Sequence, residues 1–141
     1  MTEIIFEFLH KIGFTHPVHP ALTHIPMGMV MGAVVFRLAA FLPRMKILAK
    51  TGYHCAVLAL LGVAPTVFTG YLDWQYRYGG IWEFLSVLKM VLAGILTILL
   101  LVVVIKDDPE NPRLDRRTGF YLLLVLVAIG LGYSGGELQY G

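Results

Sequence analysis

Residues 81–105 read IWEFLSVLKMVLAGILTILLLVVVI, and this run decides the fold class. Glu83 and Lys89 are its only ionisable residues. A helix that crosses the hydrocarbon core of a bilayer needs about 20 predominantly apolar residues. The run therefore predicts a transmembrane α-helix.

The whole chain is also rich in apolar residues. Of its 141 residues, 57% are hydrophobic and only 14% are charged, whereas a soluble domain is about 45–50% apolar and about 25% charged. A chain of this length cannot bury so much apolar surface in one core, so the surplus must face lipid. Four spans are predicted, at about residues 21–42, 53–72, 81–105 and 119–133.

The connections between the spans are short, which favours an up-down bundle. We therefore predict an all-α, polytopic membrane protein in which residues 1–141 form a single four-helix transmembrane domain. Residues 1–15 precede the spans and place Ile4, Phe8 and Ile12 on one helical face, opposite Glu7 and Lys11. This pattern predicts a short amphipathic helix lying in the membrane interface.

Basic residues set the predicted orientation. Eight of the 11 lie at or near the end of the bundle opposite the termini: Arg37, Arg44, Lys46, Lys50, Lys106, Arg113, Arg116 and Arg117. The positive-inside rule makes that end cytoplasmic, so both termini face the periplasm or exterior. The net charge of +2 is too small to indicate a nucleic-acid partner.

Histidines and carboxylates gather at the opposite, outer end. His16, His19 and His24 precede or open the first span, while the carboxylates stand at the ends of the other spans. Imidazole and carboxylate are the common ligands of copper, non-haem iron and zinc. A transition-metal site is therefore one hypothesis, with these candidate ligands: His16, His19, His24, Asp73, Glu83 and Glu137.

A haem b site is the other cofactor hypothesis. His24 and Gly28 are four residues apart on one helical face, which leaves room for a neighbouring helix or a porphyrin. Lys89 could reach a haem propionate or neutralise Glu83 or Asp73. His54 lies roughly 20 Å deeper than His24 and cannot share its iron. The candidate cofactor-binding residues are His16, His19, His24, Gly28 and Lys89.

Each of these features also has a structural interpretation. The histidines could hydrogen-bond carbonyls, headgroups or Asp73 at the end of the bundle. Trp74, Tyr76, Trp82 and Tyr140 could wall a site or form an aromatic belt. Small residues favour close helix packing in membranes, and the candidates for such contacts are Gly28, Gly32, Gly62, Gly94, Gly130 and Gly132.

Three motifs resemble the bacterial family named domain of unknown function 2231. They are HPVHPALTHIPMG opening the first span, LDW closing the second, and GYSGGELQYG ending the fourth, and the likeness runs from about His16 to Tyr140. His19 and His24 match the family motif, and many members share His16. The resemblance implies a four-helix inner-membrane protein, and relatives linked to c-type cytochrome domains imply redox work at the periplasmic face.

The leading hypothesis is thus an electron-transfer protein of the bacterial inner membrane with an outward haem or metal site. It is a carrier rather than an enzyme, since Ser86 and Ser134 lack a nucleophile motif. Its expected partners are a periplasmic c-type cytochrome, a larger membrane complex or a second copy. The alternative is an accessory subunit of a respiratory or photosynthetic complex, without a cofactor of its own. A transporter is disfavoured because Lys89 is the only deep charge.

Overall fold

The computed structural model describes residues 2–13, 18–77 and 79–140, and all regular structure in that part of the chain is helical. A short helix, α1, covers Thr2–Lys11. Four long helices follow: α2 (Val18–Ala39), α3 (Leu48–Arg77), α4 (Phe84–Lys106) and α5 (Arg116–Tyr140). The predicted fold class is confirmed.

The four long helices are each long and apolar enough to cross a membrane. No more than 33% of the residues in the most apolar stretch of any of them are buried inside the protein. The remaining apolar side chains face outward, which a bilayer accommodates and water does not. The protein is a multi-pass membrane protein that lies in a lipid bilayer.

Several helix boundaries differ from the predicted spans. Helix α3 begins at Leu48 instead of residue 53, and α5 continues to Tyr140 instead of ending near residue 133. Helix α2 ends at Ala39 instead of Leu42 because Pro43 disfavours helical backbone at the residue before it. Tighter turns replace the helix there, with Phe41 N donating to Leu38 O and Leu42 N to Ala39 O. Helix α3 continues through Arg77, so Asp73 lies within a helix instead of opening a loop.

The long helices form a closed ring in which α2 also packs against α5. The most extensive contact joins α2 to α3, and α4 to α5 comes next. Buried aliphatic side chains fill the centre. They include Val30, Ala33, Ala56, Ala59, Leu96, Leu100, Leu124 and Ala128.

Some of the glycines lie at close helix contacts, as predicted, and others do not. A β-carbon on Gly62 would lie 3.3 Å from Pro26 and Ile25 atoms, and one on Gly32 would lie 3.4 Å from Cys55 Sγ. Around Gly28 and Gly94, no atom lies within 4 Å of that position. The tightest helix contact involves Gly52, where a β-carbon would be 2.8 Å from Ala33 O.

Gly52→Ala is expected to lower the free energy of unfolding by about 1–3 kcal/mol, the range typical of overpacking. The obstruction is backbone, Ala33 O at 2.8 Å and Arg37 N at 3.1 Å, so α2 and α3 must separate to admit the methyl group. Unfolding of the detergent-solubilised protein measures the change. Gly94→Ala adds the same methyl group in open space and should leave stability unchanged or slightly higher. Equal losses in the two variants would contradict the packing argument.

Candidate functional site

His19 and Asp73 meet where the start of α2 packs against the end of α3, on the side of the bundle that holds the termini; we call this the outer end, and the opposite one the inner end. The backbone N–H of His19 donates to Asp73 Oδ2 at 2.9 Å, and its Nδ1 lies 3.0 Å from the carbonyl oxygen of Thr66. Since a carbonyl only accepts, Nδ1 carries the proton. Gly70 leaves room for the ring, because a β-carbon there would come within 2.9 Å of Nδ1.

His19, Asp73 and Lys89 form what we call the outer cluster. Asp73 is its most deeply buried member, with a relative exposure of 4%. Its second oxygen, Oδ1, has no hydrogen-bond partner among the described residues. Lys89 is half-buried on α4 and interacts electrostatically with Asp73, although no ion pair shorter than 4.0 Å joins it to a carboxylate among the described residues. Gly135 on α5 lies beside Lys89, since a β-carbon on this glycine would be 3.8 Å from Lys89 Nζ.

His24 points away from this cluster and lies at a groove between α2 and α5. The groove has a volume of about 330 Å³ and is mostly apolar. It is lined by His24, Met27, Gly28, Met31, Ala128, Ile129 and Gly132. His24 and Gly28 are both exposed, so the groove offers an imidazole beside bare backbone. The pair predicted from their four-residue spacing does share one face.

The structure brings only part of the predicted metal-ligand set together. His19 and Asp73 are neighbours, His24 lies in the groove, and Glu83 is exposed just before α4 without a capping hydrogen bond. His16 and the side chain of Glu137 lie outside what the structure describes. Within the described residues, no group of three or more His, Cys, Asp or Glu side chains could hold a metal ion.

A comparison with known protein families found a match for this chain. The family model DUF2231, described as a predicted membrane protein, matches residues 15–141. The chain belongs to this family. The resemblance predicted from the three motifs is confirmed over nearly its whole length. Searches among curated proteins and among solved structures found no match.

The inner end of this DUF2231 protein holds a second buried polar cluster, which the sequence did not reveal. Arg37 is fully buried, and its Nη1 lies 3.2 Å from Asp107. The hydroxyl of Tyr121 donates to Asp107 Oδ2 at 2.8 Å, and Arg37 Nε donates to Thr118 Oγ1 at 3.3 Å. The guanidinium also lies 5.3 Å from the centre of the Tyr121 ring.

This inner cluster changes the meaning of Arg37. The sequence placed it among the basic residues at or near the end of the bundle opposite the termini. The structure adds that Arg37 is an interior side chain, which binds α2 to the start of α5 and to the residue after α4. The available signal was a cation inside an apolar span with an aspartate at the end of another, since intramembrane charges are paired. Seven basic residues still support the predicted orientation.

The interior between the two clusters is apolar. Val30, Ala33, Leu96 and Leu124 occupy the middle of the bundle and are buried. No polar side chain joins the outer cluster to the inner one in the part of this DUF2231 protein that is described.

Two of the four aromatic residues that could wall a site, Trp74 and Trp82, pack on each other, and the side chain of Tyr140 lies outside what the structure describes. The rings of Trp74 and Trp82 meet edge to face with centroids 4.9 Å apart. Trp74 Nε1 donates to Ile81 O at 3.0 Å. These contacts close the connection between α3 and α4, where amphipathic rings are typical of a membrane interface.

Proposed function

We propose that this membrane protein is an electron carrier that binds haem b in the groove between α2 and α5, with His24 as an axial ligand. The observation that carries the proposal is the exposed imidazole of His24 beside Gly28, where no side chain of the described residues fills the space. A histidine ligand beside bare backbone suits a flat macrocycle with a metal at its centre.

The other residues of the groove fit the same ligand. Its volume of about 330 Å³ lies at the low end of ligand pockets, which span about 300–1,000 Å³. It would therefore cover one face of a porphyrin and leave the other to lipid or to a second copy of the chain. Met27 and Met31 line the groove, and methionine is a known axial partner of histidine in haem proteins.

Lys89 is suited to the propionates of such a ligand. Its Nζ lies beside Gly135, about one helical turn from the groove residue Gly132 on α5. Its ammonium is half-buried and has no carboxylate within ion-pair distance in the described chain. In this assignment His24 would hold the iron, Gly28 would leave space for the porphyrin ring, and Lys89 would attract the propionate carboxylates. The bound haem would supply one-electron transfer.

The geometry favours haem over a bare copper, iron or zinc ion. His19 and Asp73 together supply only two ligands, and no group of three or more His, Cys, Asp or Glu side chains among the described residues could hold a metal ion. His24 instead offers its imidazole at the groove. With the termini in the periplasm of a bacterial inner membrane, a c-type cytochrome on that side would be a suitable electron partner.

The visible spectrum of the protein, expressed with haem supply and purified in mild detergent, tests the proposal. We expect a Soret band with the wild-type protein and its loss in His24→Ala. His54→Ala is the matched control, because His54 is also exposed but lies at the inner end of α3. A colourless wild-type protein that copurifies with a membrane complex would instead support the accessory-subunit function.

A further inference from the structure

The inner end of the bundle carries more cations than its carboxylates neutralise. Three cations there form ion pairs: Arg37 with Asp107, Lys50 with Glu110 at 2.9 Å, and Arg117 with Asp115 at 3.9 Å. Five more form none within the described residues, and all five are exposed. This set, which we call the inner basic collar, consists of Arg44, Lys46, Lys106, Arg113 and Arg116.

Exposed apolar side chains are interleaved with the collar. Met45 and Ile47 flank Lys46 and are 45% and 68% exposed, and Leu114 beside Arg113 is 82% exposed. The spans end at Ala39 and Lys106 and begin at Leu48 and Arg116. These loop residues therefore lie in the layer directly outside the hydrocarbon core, where lipid headgroups and the first acyl carbons are found.

The polar recess in the α4–α5 connection is not the place where the collar would bind an anion. Its volume is about 150 Å³, and Asp108 and Asp115 line it together with Arg113 and Arg117. The side-chain hydrogen bond from Asn111 holds the pKa of Asp108 below its usual range. Asp108 is therefore negative near neutral pH, and an anion is better accommodated on the exposed side of the collar.

We propose that the inner basic collar binds the phosphodiester headgroups of acidic phospholipids such as phosphatidylglycerol. Met45, Ile47 and Leu114 would insert among the lipid chains beside them. The excess of unpaired cations supplies charge complementarity to these lipids, and each Lys or Arg near an acidic surface strengthens binding about fivefold. The proposal is independent of haem binding in the groove at the other end.

Native mass spectrometry of the full chain tests the proposal by counting retained lipids. The protein is mixed in detergent with phosphatidylglycerol or phosphatidylcholine of identical acyl chains. We expect preferential retention of phosphatidylglycerol, and a loss of about 25-fold in apparent affinity for it in Arg113→Gln/Arg116→Gln. Glycerol 3-phosphate in solution is not expected to displace the lipid, and displacement would show that free phosphates are the ligand.

The control variant is Lys50→Gln/Arg117→Gln, which removes the same charge from cations already paired with Glu110 and Asp115. It should retain phosphatidylglycerol like the wild-type protein. Equal loss in both variants, or no preference in the wild-type protein, would overturn the proposal. A test without substitutions is salt: 1 M salt, with a Debye length of about 3 Å, should abolish the preference, and an unchanged preference would also overturn it.

Discussion

Asp107→Ala is expected to lower the free energy of unfolding by about 3–5 kcal/mol, the cost of removing one partner from a buried ion pair. Arg37 and Asp107 have side-chain exposures of 0% and 1%, so water cannot solvate the charge that remains. Tyr121 would lose its hydrogen-bond acceptor in the same variant. Denaturation of the detergent-solubilised protein, followed by circular dichroism, measures the loss.

Two comparisons separate the ion pair from a general effect of charge. Glu110→Ala breaks the exposed ion pair with Lys50, in which the lysine side chain is 46% exposed and the glutamate side chain 71%. This variant should lower the free energy of unfolding by less than about 1 kcal/mol. The double variant Arg37→Met/Asp107→Leu should recover much of the stability, because apolar replacements of buried ion pairs are often neutral. An Asp107→Ala loss no larger than that of Glu110→Ala would refute the role of the inner cluster.

Gly28→Leu is expected to abolish haem binding while the protein still folds. The new side chain would enter the groove, where no atom now lies within 4 Å of the β-carbon position, and it would fill the space assigned to the porphyrin. His24 remains in place in this variant, so the loss would come from shape alone. The measurement is the ratio of Soret to protein absorbance after purification, with circular dichroism to verify the helices.

Gly94→Leu provides the matched control for this substitution. Gly94 is also an exposed glycine in a membrane span with open space around its β-carbon position, but it lies on α4, outside the groove. The variant should retain the wild-type haem content. Normal haem content in Gly28→Leu would place the cofactor elsewhere, and loss in both variants would indicate a general defect in assembly.

The sequence predicted the number of spans because hydrophobic length is a local property. The spans at 81–105 and 119–133 lie within three residues of the start of α4 and α5. It did not predict that α3 continues past Asp73, whose carboxylate accepts a hydrogen bond from His19 on another helix. Buried polar contacts between distant residues leave no periodic signal in the chain.

The candidate site was only partly predictable for the same reason. The spacing of His24 and Gly28 placed them on one face of a helix, and the structure adds the wall formed by α5. The contact between Arg37 and Asp107 joins residues 70 positions apart, and neither residue stands in a recognisable motif. Charge counting alone therefore placed Arg37 at or near the correct end of the bundle but could not show that its side chain is buried.

The inner cluster also has a consequence for biogenesis. Arg37 is synthesised 70 residues before its partner Asp107, which at about 5–20 residues per second amounts to several seconds. During that interval the first helical hairpin must enter the bilayer with an unmatched guanidinium, held at the headgroups by its long side chain. The arginine can withdraw into the protein only once the second hairpin has been inserted, so completion of the chain, and not insertion of its first half, sets the final depth and rotation of α2.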